Sequence, residues 1–365
     1  MIQYSNPVKV IKSNNWKIDL DRSIKKLGID SPIIISSNGT INRLGLKTLY
    51  NKNSFFSSFS NNPNFDDCNN LIDFCSKKIF DGVVAIGGGS TMDISKVAIS
   101  SISLKKSDLI ELINYKKKYS KVIPSIFIPT THGTASEVTQ WATIWNTYEK
   151  KKYSLSHFDL YPALAILDGS LTLSLPMEVS ISTTLDALSH SFEAIWNKNA
   201  NKKSTKLAIK AITIILKEVR NLKKNLNDIE TRSKLLEASA IAGLAFSNTA
   251  TAAAHSISYP LTLRFNIPHG IAASITLTNL LDINKTKIND SVSEICNKLE
   301  YSYEDLIKSI NIIPEGIIPF KLNEWGVLKE DLDLLKNESF TKGRMDNNIV
   351  DLDEKDVLKI LYNVF

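Results

Sequence analysis

Short apolar runs rich in β-branched residues recur through the first half of the chain, at 32–36, 83–86, 122–129 and 164–167. Each is bounded by Gly, Pro or Ser, and helical patterns separate them, which predicts buried parallel strands in an α/β layered sheet. After Asp168 the strand signals nearly vanish. Residues 182–197, 203–225 and 228–247 carry apolar positions at helical spacing, such as Ala208, Ile212, Ile215, Leu216 and Val219. The pattern therefore predicts an α/β domain over 1–170 and an all-α domain over 171–365, with the boundary in 171–176. The Asn-, Lys- and Ser-rich stretch 51–70 reads as a polar surface loop. No internal repeat and no low-complexity tract appears.

Composition narrows the class. The 365 residues are enough for two domains with an extensive core. The net charge of +6 is spread along the chain, which argues against a nucleic-acid partner while helping to attract an anionic small molecule. The longest apolar stretches, 83–86 and 208–216, fall well short of the ~20 residues of a membrane span. Met1 to Pro7 lack the basic and apolar regions of a secretory signal. Three cysteines, Cys68, Cys75 and Cys296, form neither a disulfide framework nor a CxxC pair. A cytoplasmic protein without membrane or nucleic-acid partners is expected.

Two constellations carry chemistry. The run Val83-Val84-Ala85-Ile86 leads into Gly87-Gly88-Gly89-Ser90 and then a helical segment. Strand, glycine turn and helix start together aim backbone N–H groups and a helix dipole at a phosphate. The spacing matches neither GxGxxG nor GxxxxGK[ST], so a ligand-free tight turn stays open as a reading. Among five histidines, His190 lies four residues after Asp186, on one face of a helix. His255 and His269 would sit about 21 Å apart on one straight helix, so they share an ion only if the chain turns between them. Pro260 and Pro268 favour such a turn. One Asp and three His suit Fe(II), Zn(II) or a similar divalent ion, although each histidine taken alone reads better as a structural residue.

Together the motifs resemble the iron-containing (group III) alcohol dehydrogenases. The resemblance runs from the strand near Ile33 past Leu281. It is carried by Gly87 to Ser90 with Asp93 and Lys96, by Pro129-Thr130-Thr131-His132-Gly133-Thr134-Ala135-Ser136-Glu137-Val138-Thr139, by Asp186 to Glu193, and by His255 to Gly270. It implies a dehydroquinate synthase-like fold, a Rossmann-like dinucleotide-binding domain followed by a helical metal- and substrate-binding domain, and a homodimer. It implies metal ligation by Asp186, His190, His255 and His269. NADH or NADPH would be held by Gly88, Gly89, Ser90, Asp93, Thr130, Thr131 and Lys152, with Asn62 near the adenosine half.

Departures from the family pattern sharpen this. Ser37 stands where many members carry an Asp that disfavours a 2′-phosphate, so NADPH is admitted beside NADH. Tyr259 replaces a histidine four residues after His255, which makes it the candidate proton relay or else a packing residue. His132 and Arg264 are polar where small or apolar residues are common, and with Lys151 they are candidates for an anionic substrate group, Arg264 reading otherwise as a surface or interdomain salt bridge. The runs from Ser136 to Trp145, Lys152 to His157 and Ser258 to Thr262 are most similar to phosphonoacetaldehyde reductases, which implies reduction of that aldehyde to 2-hydroxyethylphosphonate. The alternatives are an alcohol dehydrogenase for an uncharged or carboxylate-bearing substrate, a dehydroquinate synthase-like lyase, and a non-enzymatic nucleotide sensor.

Overall fold

Apolar side chains alternate between the two faces of successive strands, and this alternation builds a sheet buried on both sides. A computed structural model of the chain describes residues 4–49, 54–149 and 151–365. The first three residues, Tyr50, residues 51–53 of the polar stretch and Lys150 of the lysine run lie outside it. Among the described residues the strands are β1 (Lys9–Lys12), β2 (Pro32–Ile35), β3 (Phe55–Phe56), β4 (Gly82–Gly87), β5 (Ser125–Pro129), β6 (Trp141–Asn146), β7 (Lys151–Ser156) and β8 (Leu164–Leu167). Six pair in parallel in the order β1-β8-β5-β4-β2-β3, while β6 and β7 form an antiparallel pair. Helices α1 (Trp16–Leu27), α2 (Asn38–Leu44), α3 (Leu46–Leu49), α4 (Phe65–Ser76), α5 (Gly89–Leu104) and α6 (Leu109–Asn114) cover the sheet. Ile33, Ile35, Val83, Ala85 and Phe127 pack on one face with Leu71 of α4 and Val97 of α5. Ile34, Val84, Ile86, Ile126 and Ile166 pack on the other with Trp16 and Leu20 of α1. Burial on both faces is why these strands read as continuous apolar runs.

The stretch 51–70 is not a plain loop. It contains the edge strand β3 and the start of α4, whose N-cap Asn64 and Asp67 form a reciprocal capping box. Polar composition concealed both, because an edge strand and a helix start need few apolar residues. Strand β1 and the β6–β7 pair were also not anticipated.

The chain divides into two compact units. One comprises 6–131 and 135–172, and the other comprises 1–5, 132–134 and 173–365. The second contains no strand among its described residues. Its helices are α7 (Met177–Ile195), α8 (Lys202–Lys224), α9 (Ile229–Thr249), α10 (Ala253–Phe265), α11 (His269–Ser274), α12 (Leu277–Asn284), α13 (Asn289–Leu299), α14 (Tyr303–Asn311), α15 (Leu332–Glu338) and α16 (Glu354–Asn363). The three helices expected from periodicity are α7, α8 and α9. Pro260 does not turn the chain, because it lies inside α10. The turn falls at Asn266 in the left-handed region (φ 54°), with Pro268 as the N-cap of α11. No helix of the described residues is long and apolar enough to cross a membrane.

One close approach sets the position of α11. A Cβ built on Gly270 would lie 2.0 Å from the backbone oxygen of Ser182 in α7. Backbone cannot yield as a flexible side chain can, so only glycine lets the two helices meet here. Gly270→Ala is expected to lower the unfolding free energy by roughly 2–3 kcal/mol in urea titration, as overpacking does. An unchanged midpoint would contradict the close approach.

Candidate metal centre and nucleotide site

Helix α7 places Asp186 and His190 one turn apart in a stretch buried from Thr184 to Ile195. His255 lies in the first turn of α10 and His269 is the first residue of α11. Ligand atoms of Asp186, His255 and His269 all lie within 4.8 Å of one another. The Nδ1 of His190 is 3.9 Å from the Oδ1 of Asp186. The His190 ring stacks between Phe246 at 4.1 Å and His255 at 4.4 Å, centroid to centroid.

The polar atoms there test whether an ion fits. The Oδ1 of Asp186, the Nδ1 of His190 and the Nε2 of His255 are buried and make no hydrogen bond. A buried polar atom without a partner costs on the order of 1–3 kcal/mol, so several facing one another are expensive unless something binds between them. Burial would raise Asp186, but His190, His255 and His269 outweigh it and hold the carboxyl below its usual range. Burial pushes His190 down to about 3, which keeps it neutral as a ligand must be. One anionic oxygen and three imidazoles fit a divalent ion such as iron or zinc.

The sheet unit builds the second feature. From β2 the chain runs outward to β3 and then returns to β4, so the sheet order reverses between β2 and β4. Crevices at the carboxyl ends of strands at such reversals are where nucleotides bind in α/β sheets. β2 ends there in Ser36 and Ser37, and β4 ends there in the glycine turn. A Cβ on Gly87 would fall 2.2 Å from the Thr91 hydroxyl, so the turn into α5 closes only with glycine. Gly88 is the N-cap of α5 and supplies no side-chain cap, which leaves first-turn N–H groups for an anion. Thr131 faces Gly88, and the Thr130 N–H donates to the Gly87 carbonyl at 2.9 Å. The Asn62 N–H donates to the Ser90 hydroxyl at 3.1 Å, which brings these two expected residues together. Ser37 caps α2 through its hydroxyl. Lys152 lies on β7, opposite Trp145, and its charge reaches Asp93.

Comparison with known proteins decides the family. The sequence profile of iron-containing alcohol dehydrogenase matches residues 7–169, and that of the Fe-containing alcohol dehydrogenase family, C-terminal, matches residues 180–365. The chain belongs to the iron-containing alcohol dehydrogenase family. Long-chain-alcohol dehydrogenase 1 of Geobacillus thermodenitrificans is 31% identical over 278 residues, 73% of this chain and 70% of that protein. Probable alcohol dehydrogenase EutG of Escherichia coli is 34% identical over 237 residues, 65% of this chain and 60% of that protein. Among solved structures, sulfoacetaldehyde reductase from Bifidobacterium kashiwanohense in complex with NAD+ superposes with a TM-score of 0.92. It is 27% identical and covers 100% of this chain and 98% of that one.

Within this iron-containing alcohol dehydrogenase, three expected residues, Asp93, His132 and Arg264, have partners that were not anticipated or only held open as an alternative. Asp93 points inward. Its Oδ1 accepts from the Ser136 hydroxyl at 2.7 Å and its Oδ2 from the Thr143 N–H at 2.9 Å, so it anchors a loop rather than reaching for cofactor. His132 is buried, with Nδ1 3.3 Å from the hydroxyls of both Thr183 and Thr184 and Nε2 3.4 Å from Arg232. Burial and the Arg232 charge push it down to about 3, so it offers no positive charge to an anionic substrate. Arg264 spends its forked donors on Glu338, with Nε donating at 2.5 Å and Nη2 donating as well. Tyr259 is buried on α10, one turn after His255.

Three buried residues escaped the sequence reading. Glu193 contacts His255 through both carboxylate oxygens. Its signal was spacing, three residues after His190 and seven after Asp186, on the same face of α7. Arg232 donates to the carbonyls of Leu226 and Leu175 and to the Ser180 hydroxyl, with nothing local in sequence to announce it. Lys96 was quoted as part of a motif without a role. Fully buried, it donates to the Ser136 and Trp141 carbonyls and to the Ser136 and Thr139 hydroxyls.

Beside this knot, burial pushes the Glu137 carboxyl up to about 7 despite the nearby Lys96, and its Oε1 meets no partner. Above its ordinary 4.5 the unfolded chain releases this proton first, while the folded chain holds it to about 7. Stability from this group therefore falls as pH rises through that window, by up to about 3 kcal/mol. Glu137→Gln should flatten that fall in urea midpoints taken between pH 4.5 and 7.5. A parallel decline in both proteins would rule out Glu137 as its source.

Proposed function

We propose that the chain carries out NAD(P)H-linked, divalent-metal-dependent reduction of a small aldehyde to a primary alcohol, with phosphonoacetaldehyde as the leading substrate. The observation that carries the reaction class is the cluster of Asp186, His255 and half-buried His269 with His190 beside it, in which atoms of Asp186, His190 and His255 are left without hydrogen bonds. When bound there, Fe(II), or Zn(II) in its place, supplies a Lewis acid for a carbonyl oxygen. The other work falls to the chain. Gly88, Gly89 and Ser90 hold the cofactor pyrophosphate with N–H groups at the start of α5, and Thr130, Thr131 and Lys152 line its path. Hydride transfer needs the nicotinamide C4 and the carbonyl carbon about 3–3.5 Å apart, which is a positioning task. The Tyr259 hydroxyl, buried one turn after His255, would hold and pass the proton that completes the alcohol.

Two observations support the substrate. One is the resemblance of the runs around Trp141, Tyr153 and Tyr259 to phosphonoacetaldehyde reductases, a resemblance of short sequence segments only. The structural neighbour is named for sulfoacetaldehyde, which shares the two-carbon aldehyde and tetrahedral oxyanion of phosphonoacetaldehyde. Recognition of that oxyanion is assigned to neither His132 nor Arg264, because both are otherwise engaged. That neighbour's bound NAD+ supports a nicotinamide, and Ser37, which presents no carboxylate to a 2′-phosphate, supports use of NADPH as well as NADH.

The test is an anaerobic assay of metal-stripped protein reloaded with Fe(II), following NADH and NADPH oxidation. The panel is phosphonoacetaldehyde, sulfoacetaldehyde, succinic semialdehyde and butyraldehyde. Fast turnover of phosphonoacetaldehyde that disappears on chelation is expected. His255→Ala should lower turnover by at least about 10³-fold with cofactor affinity unchanged within about twofold, since the ligand set and not the nucleotide site is broken. Full activity of His255→Ala after chelation would overturn the metal-dependent reading. Preference for butyraldehyde would overturn the oxyanion substrate alone, and no NAD(P)H consumption with any aldehyde would favour a lyase.

A further inference from the structure

Helix α10 begins without a side-chain cap of its own: Ala252 stands at the N-cap, and His255 is the third residue of the helix. The N–H of that position is one of the four that a helix leaves unpaired. It finds its acceptor on another helix. The Oε1 of Glu193, on α7, accepts from the His255 N–H at 3.1 Å. The other oxygen of the same carboxylate, Oε2, lies 2.5 Å from Nδ1 of the His255 ring. Glu193 is 0% exposed, so no water competes for either oxygen.

We propose that Glu193 is a positioning residue for the metal centre, capping α10 and fixing the His255 ring in one gesture. This rests on the metal-dependent reading above. A carboxylate has only acceptors, so the hydrogen between it and the ring belongs to Nδ1. In the neutral ring that an ion requires, a proton on Nδ1 leaves the lone pair on Nε2, and Nε2 is the atom that lies 3.6 Å from Asp186 Oδ1 without a hydrogen bond. Because the same carboxylate also holds the backbone of residue 255, ring and main chain cannot shift independently. The buried negative charge sits at the N-terminal end of α10, where the helix dipole favours it. Partners of this kind orient metal-binding histidines and raise their basicity.

Glutamine has nearly the same shape but only one acceptor, and it offers an NH2 where the second is needed. Glu193→Gln therefore leaves one of the two His255 N–H groups facing a donor. The experiment measures Co(II) binding to metal-stripped full-length protein by competition with a chromophoric chelator, alongside the Co(II) visible spectrum and NADH affinity. Glu193→Gln is expected to weaken Co(II) binding by about 10–100-fold and to alter the Co(II) bands, with NADH affinity retained. Glu193→Asp, which keeps both acceptors on a shorter stem, should fall between Gln and the unaltered protein. Co(II) affinity and bands identical in a folded Glu193→Gln protein would overturn the proposal while leaving the metal reading intact. Absence of Co(II) binding to the unaltered protein would overturn both.

A second measurement needs no change at position 193. In Zn(II)-loaded protein labelled with 15N-histidine, one Nδ1–H signal should be shifted strongly downfield and protected from solvent exchange, and it should be missing from His255→Gln. If no protected Nδ1–H is seen, the Glu193 contact is not formed and the proposal fails.

Discussion

The helical unit depends on a costly arrangement, an anionic oxygen and imidazole nitrogens buried and facing one another. Asp186, His190 and His255 are nearly fully buried, and each leaves an atom without a hydrogen bond. An isolated buried carboxylate is expensive unless paired, and these atoms turn towards one another rather than away. Helix α7 supplies two groups by its own periodicity. The others arrive only because α10 and α11 are held against α7, by the Glu193 carboxylate at one contact and by the missing side chain of Gly270 at another. Stability is thus given up locally to keep a set of ligand atoms ready, which is the usual relation between a binding site and its scaffold.

The sheet unit solves a different problem. Its glycine turn must stay open to a phosphate, so it contributes little packing of its own. The neighbouring loop is fixed from below by Asp93 and Lys96 on α5, which between them satisfy both Ser136 and the main chain at Thr143 and Trp141. A lysine this deeply buried is drawn down to about 8 by burial, against the pull of Asp93 and Glu137. Its N–H groups are shared among four surrounding oxygens. Residues that a motif suggests as cofactor contacts here hold the main chain of a neighbouring loop.

How much of this was legible in the sequence follows from how local each signal is. The central strands could be read because burial on both faces removes polar residues from them, and α7 to α9 because long amphipathic helices repeat their pattern many times. Asp186 and His190 were legible as a pair by spacing alone. That His255 and His269 join them was not, since it depends on the turn at Asn266 and on the Gly270 contact, and family resemblance supplied what spacing lacked. The edge strand β3 was hidden by its shortness and polar setting. The substrate roles expected of His132 and Arg264 had no local contradiction either. Their partners, Arg232 and Glu338, lie 100 and 74 residues away and are brought near only by the fold.

The central claim is that one divalent ion binds to Asp186, His190, His255 and His269. X-ray absorption at the iron edge, on anaerobically Fe(II)-loaded protein with cofactor bound, tests it most directly. The account predicts a first shell of nitrogen and oxygen at about 2.0–2.2 Å, the usual range for imidazole and carboxylate donors on a divalent ion, with outer-shell scattering from three imidazole rings that falls to two in His255→Ala. An oxygen-only shell, or one unchanged by that substitution, would contradict it.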